Sequence, residues 1–268
     1  MENFMKKSYL AVAVAGAAFA FVATPAIAQD YQMEAGLSYL DLDYDAGGSD
    51  SAIGVDFTYY LEKVSTAGKP LAEAAWLNRN NNVGLAYTTV DKADLNILNL
   101  NGEFWFEDIY VAANIDRWDA GDDDDIDFAV SAGYMVDNGL LAYATIRQEA
   151  KYDGVDDKTG FGVGAKYVAD LGGNFVNLEA DIDSIDSNLT FNVAGDYYLS
   201  NELSVGLSLS AISLDDKYKD WGMDDKLEIG INAKYFFLPN VSGEVNYTLN
   251  NEHADKDSAI GLRVAARF

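Results

Sequence analysis

KLEIGINAKYFFLPNVSGEVNYTL, from Lys226 to Leu249, decides how the rest of the chain is read. Leu227, Ile229, Ile231, Ala233, Tyr235 and Phe237 alternate with Glu228, Gly230, Asn232, Lys234 and Phe236, and after Leu-Pro-Asn the alternation resumes. Period-two alternation makes a strand with two unlike faces, and a three-residue break suits a tight hairpin. The pattern recurs along the chain at intervals of roughly 13 to 20 residues. Ile53, Val55, Phe57, Tyr59 and Leu61 share one face, as do Phe161, Val163, Ala165 and Tyr167, or Ile260, Leu262, Val264, Ala266 and Phe268. Tyr31, Met33, Ala35, Leu37 and Tyr39 group the same way in the first strand, whereas Leu140–Gln148 shows no clean face. Fourteen strands are expected, within a range of 12 to 16.

The N-terminus is read apart from the fold. Lys6 and Lys7 precede the apolar run SYLAVAVAGAAFAFVA, and TPAIA ends in an Ala26-Ile27-Ala28 cleavage pattern. Residues 1–28 therefore read as a secretory signal peptide, leaving 29–268 as one exported domain. The whole sequence holds 44 acidic and 18 basic residues; without Glu2, Lys6 and Lys7 the remainder has 43 and 16, a net charge of −27. So acidic a chain is unsuited to nucleic acid, which is bound through Lys and Arg. It has no cysteine, hence no disulfide and no thiol chemistry. Past the leader no apolar run reaches the about 18 residues of a membrane helix, yet aromatic residues make up 13% of the sequence, too many for a disordered polyelectrolyte.

Two architectures accept alternating strands. In a soluble sandwich the apolar face is the core; in a transmembrane barrel it meets lipid and the polar face lines the inside. Export, strands of about 9–11 residues, an even strand number and aromatics at one level favour the barrel, an all-β, antiparallel, up-and-down closed sheet. Tight connections (EDI, DNG, GGN, SNE, LPN) alternate with looser acidic ones (DAGDDDD, AKYDGVDDK, SLDDKYKDWGMDD, NEHADKD), as when strands shuttle between a periplasmic and an outer side. Tyr59, Phe104, Phe106, Tyr134, Tyr167, Tyr197, Tyr235, Phe237 and Phe268 fall near the tight turns and form the expected periplasmic aromatic girdle. Glu62–Asn81 is the exception: a long connection on the tight-turn side, with PLAEAAWL helical in character or able to bulge into a strand.

On the opposite face lie Glu34, Asp56, Glu103, Asp116, Asp127, Glu179, Asp181, Asp196, Glu228 and Glu244, with Lys166, Lys234, Arg263 and Arg267. These fourteen are the expected pore-lining residues. Their acids outnumber their bases, and a dry core could not hold them unpaired, so water is expected inside and cations are favoured over anions. Lys166, Asp196, Lys234 and Arg267 each precede a girdle aromatic and are expected to form a mixed-charge ring near the periplasmic mouth.

Other motifs carry less. Asp122–Asp125 cannot converge on one cation, lacking the spaced ligands and turn glycine of a calcium loop, and reads as solvated; bridging of divalent ions to lipopolysaccharide phosphates is the lesser alternative. GFGVGAK (Gly160–Lys166) mimics a phosphate loop but lies inside a strand with no helix behind it. His253, the sole histidine, sits near Asp255, Asp257 and Ser258 in a loop that offers little preorganisation. No catalytic, metal or cofactor residues are assigned, and no enzyme activity is expected.

The ending DSAIGLRVAARF resembles the assembly signal of Gram-negative outer-membrane barrels, and the segment from Gln29 together with GKPLAEAAWL is similar to a porin family of gammaproteobacteria. The resemblance implies an outer-membrane pore passing small hydrophilic solutes or ions, surrounded by outer-membrane lipid and lipopolysaccharide, and inserted by the barrel-assembly machinery through its last strand. It departs from large trimeric porins in showing no long loop able to fold inward as a constriction, which implies a smaller, monomeric barrel. A structural or surface-binding barrel with an occluded lumen is the alternative.

Overall fold

Every backbone polar group that crosses lipid needs a partner within the protein, and a strand alternating in polarity obtains its partners only from neighbouring strands. The computed structural model describes residues 30–44, 47–121, 123–137, 139–149, 158–219, 224–252 and 255–268. Residues 1–29, where the leader is expected, and Asp122 and His253 lie outside the described residues. The strands are β1 (Tyr31–Asp43), β2 (Ser49–Val64), β3 (Asn82–Val90), β4 (Leu95–Phe106), β5 (Ile109–Ala120), β6 (Asp123–Asp137) and β7 (Leu140–Glu149). They continue as β8 (Lys158–Asp170), β9 (Phe175–Ile185), β10 (Asn188–Tyr198), β11 (Leu203–Ser213), β12 (Lys226–Leu238), β13 (Val241–Glu252) and β14 (Asp255–Arg267). Each strand pairs antiparallel with its chain neighbours, and β14 returns to β1, closing a barrel of 14 strands.

The closing seam runs from Glu34 opposite Arg267 to Asp43 opposite Ser258. It begins with an irregularity. The amides of Gln32 and Met33 both donate to the Phe268 carbonyl, at 2.9 and 2.8 Å, and the register shifts between Tyr31 and Met33. The extra residue reverses the sidedness of Tyr31. Tyr31 is buried inside against Tyr60 and does not share the outer face of Met33 and Tyr39.

Elsewhere the apolar face points outward: Ile53, Leu85, Leu100, Val130, Val163, Leu207, Ile231 and Leu262 are all exposed on the barrel wall. Above that band the polarity reverses. Asp41 and Asp43 point out, while Leu40, Leu42, Ala52, Val90, Leu95, Ile97 and Ala259 pack into an internal apolar cluster. Two of the acidic stretches read as looser connections, DAGDDDD and NEHADKD, are largely strand. In DAGDDDD, Asp119 and Ala120 belong to β5 and Asp123–Asp125 to β6; in NEHADKD, Asn251 and Glu252 belong to β13 and Asp255–Asp257 to β14. Strand pairing persists beyond the membrane here, with Asp119 opposite Asp124 and Arg117 bonded to Asp124 at 3.2 Å. Gly160–Lys166 lies within β8; a Cβ on Gly162 would lie 2.0 Å from an Asp183 carboxylate oxygen, so the glycine makes room for an interior acid.

Leu207 lies mid-strand on the outer wall and is 66% exposed, whereas its neighbour Ser208 faces inward. Leu207→Arg is expected to lower stability by about 2–4 kcal/mol, and Ser208→Arg by less than about 1 kcal/mol. Urea unfolding in lipid vesicles measures both; equal costs would contradict the sidedness.

Candidate functional site: the barrel interior and its insert

The interior face is a set of local polar networks. The β1–β14 register brings Glu34 beside Arg267 and Arg263, and β2 adds Asp56. Arg267 Nε donates to Glu34 at 2.5 Å, and Arg263 bonds Glu34 at 3.1 Å and Asp56 at 3.0 Å. Lys234 on β12 pairs with Glu244 on β13 at 3.2 Å. Asp196 accepts from Asn232 at 2.9 Å, Asp181 from Asn192 at 2.8 Å, and Glu103 from Asn82 and Tyr110 at 3.0 and 2.9 Å. Asp116 accepts from the amides of Asn99 and Asn114. Asp127 and Glu228 border separate cavities of about 250 and 40 Å³. The fourteen residues expected to line a pore thus all occupy the interior face, but as separate networks. Lys166, Asp196, Lys234 and Arg267 each engage different partners and do not join into one ring.

The segment between β2 and β3 is the main departure from the sequence reading. Residues 65–81 neither bulge into a strand nor stay outside; they fold into the barrel mouth as a 3-10 turn (Leu71–Glu73) followed by one helical turn, α1 (Ala74–Leu77). The expectation that no long connection folds inward is therefore corrected. Glu73 is buried, bonded to Lys166 of β8 at 3.2 Å and accepting from the Tyr198 hydroxyl of β10 at 2.8 Å. Leu71 donates its amide to Asn201 between β10 and β11 at 2.7 Å, and its carbonyl accepts from Arg267 Nη1 at 2.7 Å. Trp76 packs edge-on to Trp105, at 5.3 Å between centroids, and to Tyr110. Arg79, with φ of 55°, turns the chain back toward β3 and bonds Asp108 at 2.6 Å. The insert is thus tied to walls on opposite sides of the mouth.

An inner apolar collar grips it. Tyr31, Tyr60, Trp105, Tyr110, Met135, Leu141, Tyr198 and Phe236 are buried on the interior face at this end. The signal was in the sequence as runs of adjacent aromatics: TYY at 58–60, FWF at 104–106, DYY at 196–198 and YFF at 235–237. In a strand, adjacent residues face opposite ways, so doubled aromatics mean that the inside is apolar at that height and needs something to cover it. The same collar explains β7, where Leu141 covers the insert from inside while Ala142 and Ala144 face out. With that face fixed, Arg147 also turns inward and pairs with Asp183 at 3.0 Å, an interior ion pair the sequence reading missed.

Comparison with known proteins now bears on this geometry. Residues 5–155 and 151–268 match the model of the family described as "Putative general bacterial porin". The chain belongs to that family. This porin is similar in fold to the Acinetobacter baumannii outer membrane protein Omp33, with a TM-score of 0.69 and 24% identity over 89% of this chain and 99% of that one. It also resembles the CymD monoaromatic hydrocarbon channel (TM-score 0.57, 8% identity, 90% and 89% covered). A structure titled bacterial polysaccharide outer membrane secretin gives a TM-score of 0.54 at 10% identity, with 90% and 99% covered. Among curated proteins none is similar enough in sequence to match. The porin sits in the outer membrane, where short turns mark the periplasmic side, so the insert occupies the periplasmic mouth.

On the outside at that level, Tyr59, Phe106, Tyr134, Tyr167, Tyr197, Tyr235, Phe237 and Phe268 are between 39% and 61% exposed, and Phe104 is half-buried against Gly102. Collar and girdle therefore back one another across the porin's wall.

Arg267 is 5% exposed and stacks on both Tyr31 and Phe236 at 4.5 Å while holding Glu34 and Leu71. Its loss removes the shorter of the two bonds to the buried Glu34 carboxylate, takes the stacked guanidinium out of the collar and leaves the Leu71 carbonyl without its donor. Arg267→Ala is expected to destabilise the porin by about 3–5 kcal/mol, read as the urea midpoint in vesicles; a loss under about 1 kcal/mol would show that Arg267 does not hold the seam.

Proposed function

We propose that this porin, exported through a cleaved leader at residues 1–28, lets small hydrophilic solutes diffuse passively across the outer membrane, preferring cations, and that the 65–81 insert gates the periplasmic mouth. One observation carries the reading: interior carboxylates outnumber interior cations, and several, Glu103, Asp116, Asp181 and Asp196 among them, are bonded to amides or hydroxyls, which orient a charge without neutralising it. Such a wall enriches cations and repels anions. The interior also encloses a cavity of about 490 Å³ lined by Asp56, Asn99, Asn101, Asp116, Lys234, Glu244 and Arg263, a volume and chemistry suited to hydrated small molecules.

Passage requires the insert to move, because it is held at both sides of the mouth. Its hold is a few polar contacts centred on Glu73 plus the Trp76 stack, which a local opening can release without unfolding the wall. The barrel is read as a conduit and not an enzyme, its interior groups being paired with one another in structural networks. The same insert favours a second reading, a barrel that stays closed and serves as a structural or surface-binding element.

Planar-bilayer recording separates the two. The wild-type porin is expected to show small or infrequent conductance steps, and Glu73→Ala, which releases Tyr198 and leaves Lys166 to Glu179 alone, to raise open probability or conductance severalfold. A reversal potential of anionic sign under a salt gradient would overturn the cation preference. Silence from the wild type, from Glu73→Ala and from a variant with residues 66–79 replaced by a short glycine-serine linker would favour the closed barrel.

A further inference from the structure

The interior wall is unequal around its circumference, and the inequality has a direction. Arg147, Lys166, Lys234, Arg263 and Arg267 lie on β7, β8, β12 and β14, each bonded to a carboxylate. The inward faces of β4, β5 and β6 carry Glu103, Asp116 and Asp127 and, among the described residues, no lysine or arginine. The one base on these strands, Arg117, points outward to Asp124. The same wall is hollowed: its lower inward positions are Ala112, Ala129, Ser131 and Gly133. Cavities of about 490, 250 and 240 Å³ all border it, sharing Asp116, Asn101 and Asn114 between them.

We infer that solutes follow this off-axis gutter along β4–β6, that it selects small organic ammonium ions, and that Asp116 is its selectivity residue. Asp116 borders both the 490 and the 250 Å³ cavities. Asn99 donates to one of its oxygens at 2.7 Å and Asn114 to the other, while Asn101 donates to Asn99 at 2.6 Å. This amide chain fixes the carboxylate in place and leaves its charge intact. Asp127 lies directly opposite Asp116 on β6, and like charges facing across a ladder repel, so a cation between them is favoured. The organic character follows from the upper cavity, which places Trp118 and Ile97 beside the two acids, while from β7 it takes Glu149 and Arg147, the latter paired with Asp183. An indole face and an alkyl side chain suit the carbon skeleton of an amine and the π attraction of its ammonium, and give nothing to a bare metal ion. The gutter descends to Trp105 and Tyr110, where Trp76 of the insert covers it.

This inference rests on the channel reading, so the test of its charge selectivity is made not to need conduction. The chain has no cysteine, and Ala129→Cys places a single thiol in the gutter, with Ser208→Cys on β11 as the comparator. Each variant, in vesicles, is reacted from outside with a trimethylammonium and with a sulfonate methanethiosulfonate. The ratio of cationic to anionic rates at position 129 is expected to exceed that at 208 by about tenfold. Adding Asp116→Asn should reduce the ratio at 129 about threefold or more while leaving that at 208 unchanged, and raised salt should lower it in the parent. Equal ratios at the two positions, or a ratio at 129 indifferent to Asp116→Asn, would overturn the inference. Should Asp116→Asn fail to fold, Asp127→Asn takes its place with the same expectation. To separate organic from inorganic cations, wild-type bilayer currents are compared in tetramethylammonium and in potassium, after scaling for free mobility. Relative permeability to tetramethylammonium that falls on Trp118→Ala supports the organic class, and no change would reject it. A charge ratio that persists in a barrel that never conducts would leave the gutter standing and remove only the channel reading.

Discussion

Closure is the constraint from which the other features descend. A sheet in lipid cannot leave an edge unbonded, so β14 must meet β1 in one register, and that register sets Arg267 opposite Glu34. A single-residue slip would send one of the two to the lipid face and leave the other unpaired by it inside. The buried ion pair is costly to form and costlier to break on one side, so it locks the seam where the backbone ladder alone would tolerate sliding. Arg267 then extends past the seam to the Leu71 carbonyl. One guanidinium thus joins wall closure to the position of the insert.

The interior is charged without being uniformly so. Ion pairs gather on the wall from β12 through β2 and on β7–β9, where they hold side chains inward and stiffen the lining. On β4 and β5 the acids Glu103 and Asp116 are bonded to amides and a hydroxyl, and the neighbouring inward residues of β5 and β6 are small. A lumen built this way separates two demands: one arc supplies rigidity, and the other supplies room and field.

Strand number, sidedness and the outer girdle were legible because period-two alternation survives wherever one face meets lipid and the other water. Legibility failed where that contrast fails. At the periplasmic end Tyr60, Trp105, Tyr198 and Phe236 are as apolar as the outward residues beside them, so alternation vanishes and Leu140–Gln148 lost its face. Tyr31 was assigned outward because a bulge changes the phase without changing composition. At the other end, the acids of DAGDDDD and NEHADKD suggested loops, although water on both faces lets a strand continue with any polar sequence. The insert was visible as an anomaly in length; its direction was encoded in the doubled aromatics, a signal carried by other strands and not by the segment itself.

The tether between Leu71 and Arg267 also imposes a chronology. The segment that occupies the mouth is made early, between the second and third strands, but one of its anchors resides on β14, the last strand to join the barrel. That contact therefore forms only once the final strand has zipped onto the first. Of the insert's anchors it is the one that waits for a completed circumference.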